Sequence, residues 1–134
     1  MRRAYVDSCL FIYWVEQLAP QSETALVWLE RHADTTLCVS GLVQLETLVK
    51  PMRLQQRALI SAYEKLLAEQ QWLPIDDSIF ARALALRTKF ALKTPDALHL
   101  AIAQHHGCDE FWTNDERLND AAGSMARNIF KLVS

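Results

Sequence analysis

The stretch TLCVSGLVQLETLVK (residues 36–50) predicts a strand that runs directly into a helix. Thr36 to Val39 are apolar or β-branched, which favours an extended strand, and Ser40 is a good N-cap for a helix from Gly41 to Lys50. Pro51 lacks the backbone N–H that a helix interior needs, so we expect the helix to end there. A strand followed at once by a helix is the building unit of α/β proteins.

Strands and helices alternate along the rest of the chain. Further strands are predicted at residues 3–6, 72–75, 110–113 and 128–133, and further helices at residues 10–17, 22–32, 54–70, 77–90, 94–106 and 117–121. Pro74 places the strand at 72–75 on an edge of the sheet, because it cannot donate a ladder hydrogen bond. Thr94 is the expected N-cap of its helix, with Pro95 at the first position. The alternation predicts a three-layer α/β/α sandwich with a mostly parallel, about five-stranded sheet.

Length and composition restrict the class of protein. The chain has 134 residues, of which 51% are hydrophobic and 22% charged, as expected of a single packed domain over residues 1–134. No apolar run reaches the roughly 18 residues of a membrane helix, and no signal-peptide cleavage pattern is present. We therefore expect a cytoplasmic protein that does not enter a membrane. The three cysteines contain no C-x-x-C pair, which argues against a disulfide framework or a structural zinc site.

Polar residues follow two of the predicted strands directly. Asp7 comes after the strand at 3–6, and Asn114 and Asp115 come after the strand at 110–113. In an open parallel sheet, ligands bind beyond the carboxyl ends of the strands. If these two strands are neighbours, two carboxylates from distant parts of the chain meet at one edge of the sheet.

Two further acids occupy places where a charge needs a partner. Glu46 lies at the margin of an apolar stripe that a helical wheel predicts from Leu42, Leu45 and Val49. Asp96 lies in the first turn of a helix that is apolar nearly all round and is therefore expected to be buried. A carboxylate at either place must reach a polar cavity, a partner or a metal ion.

Each of these acids also has a purely structural explanation. Asp7, Asp96 and Asp115 stand at predicted helix starts, where a carboxylate caps the helix or interacts favourably with its dipole. Glu46 could extend into solvent. The spacing of the acids alone leaves the structural and the functional interpretation open.

The four acids lie in four short segments: Tyr5–Ser8 (YVDS), Val39–Glu46 (VSGLVQLE), Thr94–Ala101 (TPDALHLA) and Trp112–Leu118 (WTNDERL). In this order and at these separations they resemble the PIN-domain ribonucleases, and most closely the VapC-type toxins of prokaryotic toxin–antitoxin pairs. The resemblance extends over essentially the whole chain. It implies an α/β/α fold and an acidic metal site that cleaves RNA.

The resemblance also implies roles for particular residues. The acidic catalytic positions of the family fall on Asp7, Glu46, Asp96 and Asp115. The expected direct ligands of Mg²⁺ or Mn²⁺ are Asp7, Asp96 and Asp115, with Glu46 acting through water or as a proton acceptor. Supporting hydroxyl and amide groups of the family fall on Ser8, Thr113 and Asn114.

A divalent metal ion would explain why four acids are held together. Mg²⁺ and Mn²⁺ prefer carboxylate and water oxygens, whereas clustered carboxylates without a cation repel one another. A bound ion lowers the pKa of its water and stabilises charge on a phosphate. The formal net charge of the chain is −2, and the four acids contribute −4 of it, so the remaining residues carry +2. A slightly positive remainder favours a phosphate-rich substrate.

The first interpretation is therefore a metal-dependent endoribonuclease, the toxin of a toxin–antitoxin pair, with RNA as substrate, a cognate antitoxin as partner and a homodimer as assembly. Large apolar residues of the early helices are expected to be partly exposed and to form an interface: Phe11, Tyr13, Trp14, Val15 and Trp28.

Two other interpretations remain. One is a noncatalytic PIN-like module that binds RNA or protein, although a module without catalysis has no need of four mutually repelling acids. The other is a phosphotransfer protein, which ranks last because the phosphatase pattern expects an acid two residues after Asp7, where Cys9 stands. His99 is expected to be a packed or supporting residue rather than a catalytic one.

Overall fold

The computed structural model describes residues 2–129, in which five strands form one sheet. The strands are β1 (Arg3–Val6), β2 (Thr36–Val39), β3 (Gln71–Trp72), β4 (Glu110–Thr113) and β5 (Ala126–Asn128). Their order across the sheet is β3-β2-β1-β4-β5, and every neighbouring pair is parallel. The predicted parallel sheet is confirmed, with β3 at one edge.

The helices form two groups that cover the two faces of the sheet. They are α1 (Ser8–Glu16), α2 (Gln21–Arg31), α3 (Gly41–Arg53), α4 (Arg57–Ala68), α5 (Asp77–Lys89), α6 (Thr94–His105) and α7 (Glu116–Ala122). Helices α1 to α4 contact one another, as do α5 with α6 and α6 with α7. Right-handed crossovers place the groups on opposite faces, because the chain moves across the sheet in opposite directions before and after β3. The three-layer α/β/α prediction is confirmed.

The strand order brings the ends of β1 and β4 together. The chain progresses from β1 to β2 to β3 on one side, then crosses back to place β4 on the other side of β1. Such a reversal opens a crevice between the two strands at their carboxyl ends. The backbone N–H of Asp7 donates to the carbonyl of Trp112 at 2.9 Å, which continues the ladder into this crevice. Asp7 and the residues after β4 therefore leave the sheet side by side, as predicted.

Helix α6 is buried nearly all round, as its apolar sequence predicts. Its fully buried side chains are Ala97, Leu100, Ala101, Ile102 and Ala103. The predicted N-cap at Thr94 is wrong: the helix begins at Thr94 itself, and the Thr94 hydroxyl accepts a hydrogen bond from Arg87 at 2.8 Å. This shift leaves Asp96 in the first turn of α6.

Two predicted boundaries are wrong because of proline. Helix α3 continues through Pro51 to Arg53: the missing N–H costs the helix one backbone hydrogen bond, and burial of the proline ring in the core offsets part of that cost. Strand β3 covers Gln71–Trp72 rather than residues 72–75. Leu73 still donates to Val39 at 2.8 Å, and Pro74, which has no N–H, follows immediately.

Other boundaries differ by a few residues. Helix α1 begins at Ser8 rather than at residue 10, because Asp7 caps it, and α4 begins at Arg57 rather than at residue 54, after Gln55 takes a positive φ of 53°. Strand β5 covers Ala126–Asn128, whereas the prediction was 128–133. Residues 130–133 of that prediction lie outside the described residues.

The predicted partial exposure of early-helix residues is wrong for Phe11, Trp14 and Trp28, whereas Tyr13 and Val15 are half-buried as expected. Phe11 is fully buried, and Trp14 and Trp28 are 7% and 5% exposed. Phe11 packs edge-on against Trp14, and Trp28 packs edge-on against Trp112 of β4. These rings fill the layer between the sheet and helices α1 and α2, so they do not form a surface patch.

Among the helices, the most exposed large apolar side chains lie on α3 and α5, while Leu26 and Val27 on α2 are exposed to a smaller extent. On α3 they are Leu45, Val49 and Met52, and on α5 they are Phe80 and Leu84. The buried face of α3 consists of Val43, Thr47, Leu48 and Pro51, so the predicted buried stripe through Leu45 and Val49 is also wrong. Within residues 2–129, no helix combines the length and hydrophobicity needed to cross a bilayer.

Candidate active site

Asp7 has a capping role and also faces the crevice between β1 and β4. Its Oδ1 accepts a hydrogen bond from the backbone N–H of Ser8 at 2.8 Å, at the start of α1. Its Oδ2 accepts one from the Thr113 hydroxyl at the end of β4 at 2.7 Å. The side chain is 11% exposed. A carboxylate oxygen accepts more than one hydrogen bond, so both oxygens keep capacity for a further partner.

Glu46 turns inward from α3 and does not extend into solvent. Its Oε1 accepts hydrogen bonds from His99 Nε2 at 2.5 Å and from the Ser8 hydroxyl at 3.0 Å. Burial raises the pKa of Glu46, but the hydrogen bonds from His99 and Ser8 and the electrostatic interaction with His99 lower it by more, so the pKa of Glu46 lies below its ordinary value. Glu46 is therefore ionised at neutral pH.

His99 is packed in the core beside the acids, in agreement with the expectation that it is a packed or supporting residue. It is fully buried, and its Nε2 lies 3.8 Å from Asp7 Oδ1 in addition to the Glu46 contact. Asp7, Glu46 and His99 offer ligand atoms that all lie within 4.8 Å of one another, the one such group in residues 2–129. Its position was detectable in the sequence, because a residue three places after Asp96 lies on the same face of α6.

Asp96 shares the electrostatic environment of the other acids. Burial raises its pKa above the ordinary value, and the negative charges of Asp7, Asp115 and Glu46 raise it further, against the opposing effect of His99. The four acids predicted from sequence thus act on one another. Asp96 does not, however, belong to the close group around His99.

Asp115 lies at the mouth of the site. It is exposed and caps α7, with Oδ1 accepting from the backbone N–H of Leu118 at 3.0 Å. Asp115 and Asp96 line a cavity of about 530 Å³ together with Lys93, Asn114, Arg117, Ala91, Leu92 and Glu116. Two of the four acids therefore form the wall of an open cavity, while Asp7 and Glu46 lie in the close group around His99.

The three predicted supporting residues make different contacts. Ser8 bridges two acids, with its N–H on Asp7 and its hydroxyl on Glu46. Thr113 also bridges two of them, because its hydroxyl donates to Asp7 and accepts from the backbone N–H of Asp115 at 3.2 Å. The Asn114 side chain accepts from the Cys9 thiol at 3.2 Å and donates to the Tyr13 hydroxyl at 3.0 Å. Asn114 therefore ties the loop after β4 to α1.

The donor set fits a hard divalent cation. Carboxylate oxygens are the ligands that Mg²⁺ and Mn²⁺ prefer, and here they come from four different segments of the chain. Burial raises the pKa of Asp96 most, and the negative charges of Asp7, Asp115 and Glu46 raise it further. A divalent ion near Asp7, Asp96 and Asp115 would remove that repulsion.

The fold and the site define an α/β protein with an acidic cluster at the reversal of strand order. The model of the PIN domain family matches residues 4–124. The chain belongs to the PIN-domain family. No curated protein matches the sequence closely enough to count as a relative.

Solved structures with the same fold include components of toxin–antitoxin assemblies. A toxin–antitoxin complex from Klebsiella pneumoniae is similar over 94% of this chain and 97% of that chain, with 24% identity and a TM-score of 0.74. VapBC2 from Rickettsia felis, bound to a DNA fragment from its own promoter, is similar over 93% of this chain and 97% of that chain, with 14% identity and a TM-score of 0.76. FitAcB from Neisseria gonorrhoeae is similar over 95% of this chain and 98% of that chain, with 18% identity and a TM-score of 0.67. At these identities the likeness concerns the fold.

Replacing Asp96 with asparagine is expected to stabilise the metal-free protein at neutral pH. A raised pKa means that the charged form is disfavoured in the folded chain, and asparagine keeps the shape without the charge. The gain should vanish as the pH falls below the ordinary aspartate pKa of 3.8, where wild-type Asp96 is protonated in both folded and unfolded chains. Urea unfolding in chelator at several pH values measures it.

Asp120→Asn is the matched control, because Asp120 is an exposed acid on α7 outside the cluster. Its free energy of unfolding should stay within about 0.5 kcal/mol of wild type. A loss of stability in Asp96→Asn at pH 7 would show that repulsion does not dominate at this position.

Proposed function

We propose that this protein is a metal-dependent endoribonuclease and the toxin of a toxin–antitoxin pair, acting in the cytoplasm. The observation that carries the proposal is the convergence of Asp7, Glu46, Asp96 and Asp115 at the reversal of strand order in a PIN-domain chain. Burial and the charges of Asp7, Asp115 and Glu46 raise the pKa of Asp96, so its ionised form is a cost to the fold, which a bound cation would offset.

The acids have separable roles in this proposal. Asp7, Asp96 and Asp115 would hold Mg²⁺ or Mn²⁺, and a bound ion would neutralise charge on the scissile phosphate and make a water molecule more acidic. Glu46, whose pKa is lowered, is ionised and available to orient that water and accept its proton. Ser8 and Thr113 orient the carboxylates through the hydrogen bonds described above.

Two cations beside the acids support a nucleic-acid substrate. Lys93 and Arg117 line the same cavity as Asp96 and Asp115, and both are exposed. Neither forms an ion pair with any residue among 2–129. Because Lys93 and Arg117 form no ion pair within the described part of the chain, they are available to bind phosphate oxygens. Asp96 and Asp115 in the same cavity stay available for a metal ion.

RNA cleavage by the purified chain is expected only with Mg²⁺ or Mn²⁺, and excess chelator should abolish it. Asp7→Asn and Asp96→Asn should each lower the cleavage rate by at least about 100-fold while the chain stays folded, since each removes a metal-ligand charge. Gel analysis of a labelled single-stranded RNA measures the rate, and circular dichroism reports the fold.

Asp76→Asn and Asp109→Asn are the controls for this assay. Asp76 caps α5 and Asp109 accepts from the backbone of Arg3, both on exposed parts of the chain away from the crevice. Their cleavage rates should match wild type. Cleavage that persists in excess chelator would contradict the mechanism, and a folded chain that binds RNA without cutting it would favour a noncatalytic PIN module.

Lys93→Ala and Arg117→Ala are expected to weaken RNA binding more than metal binding. The logarithm of RNA affinity should depend less steeply on the logarithm of salt concentration, by about 0.7 for each lost phosphate contact of a single strand. Fluorescence anisotropy in an Asp7→Asn background measures this without cleavage. Lys65→Ala, an exposed cation on α4, should leave the slope unchanged, and an equal change in Lys65→Ala would argue against the role of Lys93 and Arg117.

An antitoxin partner and a homodimer belong to the same proposal. The similar solved structures include toxin–antitoxin complexes, and α3 and α5 of this chain carry exposed apolar side chains of the kind that protein partners cover. These surfaces replace the early-helix aromatics as the candidate interfaces.

Expression of the chain alone is expected to inhibit bacterial growth, and co-expression with the product of the adjacent reading frame should restore growth and give a copurifying complex. Asp7→Asn should remove the inhibition without removing copurification, because it changes the catalytic charge and not α3 or α5. Size-exclusion chromatography with light scattering measures the assembly. Equal growth and a monomer in every case would contradict the partner and the dimer together.

A further inference from the structure

A buried chain of hydrogen bonds leads from the start of α3 to the Glu46 carboxylate. The Ser40 hydroxyl lies 2.8 Å from the Tyr5 hydroxyl, which lies 2.6 Å from His99 Nδ1, and His99 Nε2 lies 2.5 Å from Glu46 Oε1. Ser40, Tyr5 and His99 are all fully buried. Each polar group in the chain has a partner, so the arrangement is a satisfied network rather than a set of isolated buried groups.

The two ends of this chain lie on the same helix. Ser40 is the N-cap of α3 and accepts from the backbone N–H of Leu42, while Glu46 lies on α3 itself. Tyr5 comes from β1, and His99 comes from α6 on the other side of the sheet. The network therefore ties α3, β1 and α6 together and restrains the Glu46 side chain from within the core.

His99 has its two ring nitrogens occupied by protein partners. Nδ1 is bound to Tyr5, and the short distance from Nε2 to Glu46 Oε1 is that of a hydrogen bond to a charged acceptor. A nitrogen engaged in this way has no lone pair directed at a metal ion, and Mg²⁺ prefers oxygen ligands in any case. The closeness of His99 to Asp7 and Glu46 therefore indicates a partner of the carboxylates, not a ligand.

We propose that His99 is a positioning residue: it holds the Glu46 carboxylate towards the candidate metal site, with Tyr5 and Ser40 fixing the orientation of its ring. The inference rests on the proposed metal-dependent function and deepens it. His99 supplies a hydrogen bond through Nε2 and occupies one oxygen of Glu46, which leaves Oε2 for a metal-associated water. Supporting groups of this kind affect metal affinity by about 10–100-fold when they are lost.

The experiment compares three substitutions by isothermal titration with Mn²⁺ on the intact chain. His99→Leu removes both hydrogen bonds and should weaken Mn²⁺ binding by about 10–100-fold. His99→Gln keeps an N–H donor at a similar reach and should recover part of that loss. Tyr5→Phe removes only the outer hydroxyl, keeps the ring stacked on Phe111, and should weaken binding by a smaller factor in the same direction.

Tyr63→Phe is the matched control for Tyr5→Phe. Tyr63 is also fully buried, and its hydroxyl donates to Glu16 at 2.5 Å, outside the network that reaches Glu46. It should lose stability in urea unfolding as Tyr5→Phe does, with Mn²⁺ affinity unchanged. Should His99→Leu fail to fold, the comparison of Tyr5→Phe with Tyr63→Phe decides the question.

Each outcome separates the positioning role from the proposed function. Unchanged Mn²⁺ affinity in folded His99→Leu, or equal affinities in Tyr5→Phe and Tyr63→Phe, overturns the positioning role even when wild type cleaves RNA. An equal loss in His99→Gln and His99→Leu overturns it in favour of direct ligation. If the wild-type chain binds Mn²⁺ but cuts no RNA, the proposed nuclease function is refuted, and the Mn²⁺ titrations of the variants still decide the positioning role of His99. If the wild-type chain binds no Mn²⁺, both the nuclease function and the positioning role are overturned.

Discussion

Repulsion among carboxylates at one end of the sheet is the constraint on which the rest of this structure depends. Four acids from separate segments meet where the strand order reverses, and their mutual effect appears in the raised pKa of Asp96. A cluster of this kind survives in a fold only if nearby groups compensate its charge. The arrangement of helix starts, hydroxyl groups and the buried histidine supplies that compensation.

Three of the acids stand at the N-terminal ends of helices. Asp7 caps α1, Asp115 caps α7, and Asp96 lies in the first turn of α6. The partial positive charge of a helix start stabilises a carboxylate there. The structural and the functional interpretations of these acids are therefore compatible, because the same helix ends that need a cap also help to hold a metal-binding charge. Glu46, which lies within α3, has no such support and is bound by His99 instead.

The sequence by itself was sufficient for the fold class, and it placed Asp7, Asp96 and Asp115 at strand ends or helix starts, where the structure also has them. Short β-branched strands, helix caps and the polar residues directly after β1 and β4 are local signals, and the structure keeps them close to where the pattern placed them. The strand order did not follow from these local signals: the predicted meeting of Asp7 with Asn114 and Asp115 required β1 and β4 to be neighbours, and the sheet topology meets that condition. Asp7, Asp96 and Asp115 were accessible to this reasoning since each follows or begins a regular element.

Only the tertiary structure decided the contacts that depend on which helix packs against which layer. Glu46 finds its partner 53 residues away on α6, a pairing that no local pattern encodes. The same limit explains why Trp14 and Trp28 are buried although exposure was expected, and why Leu45 and Val49 are exposed although the helical wheel predicted a buried stripe. A wheel shows which side chains share a face, but the face that is covered is chosen by the packing of α1 to α4 on the sheet. Burial is a property of that assembly, and local sequence determines only the candidates for it.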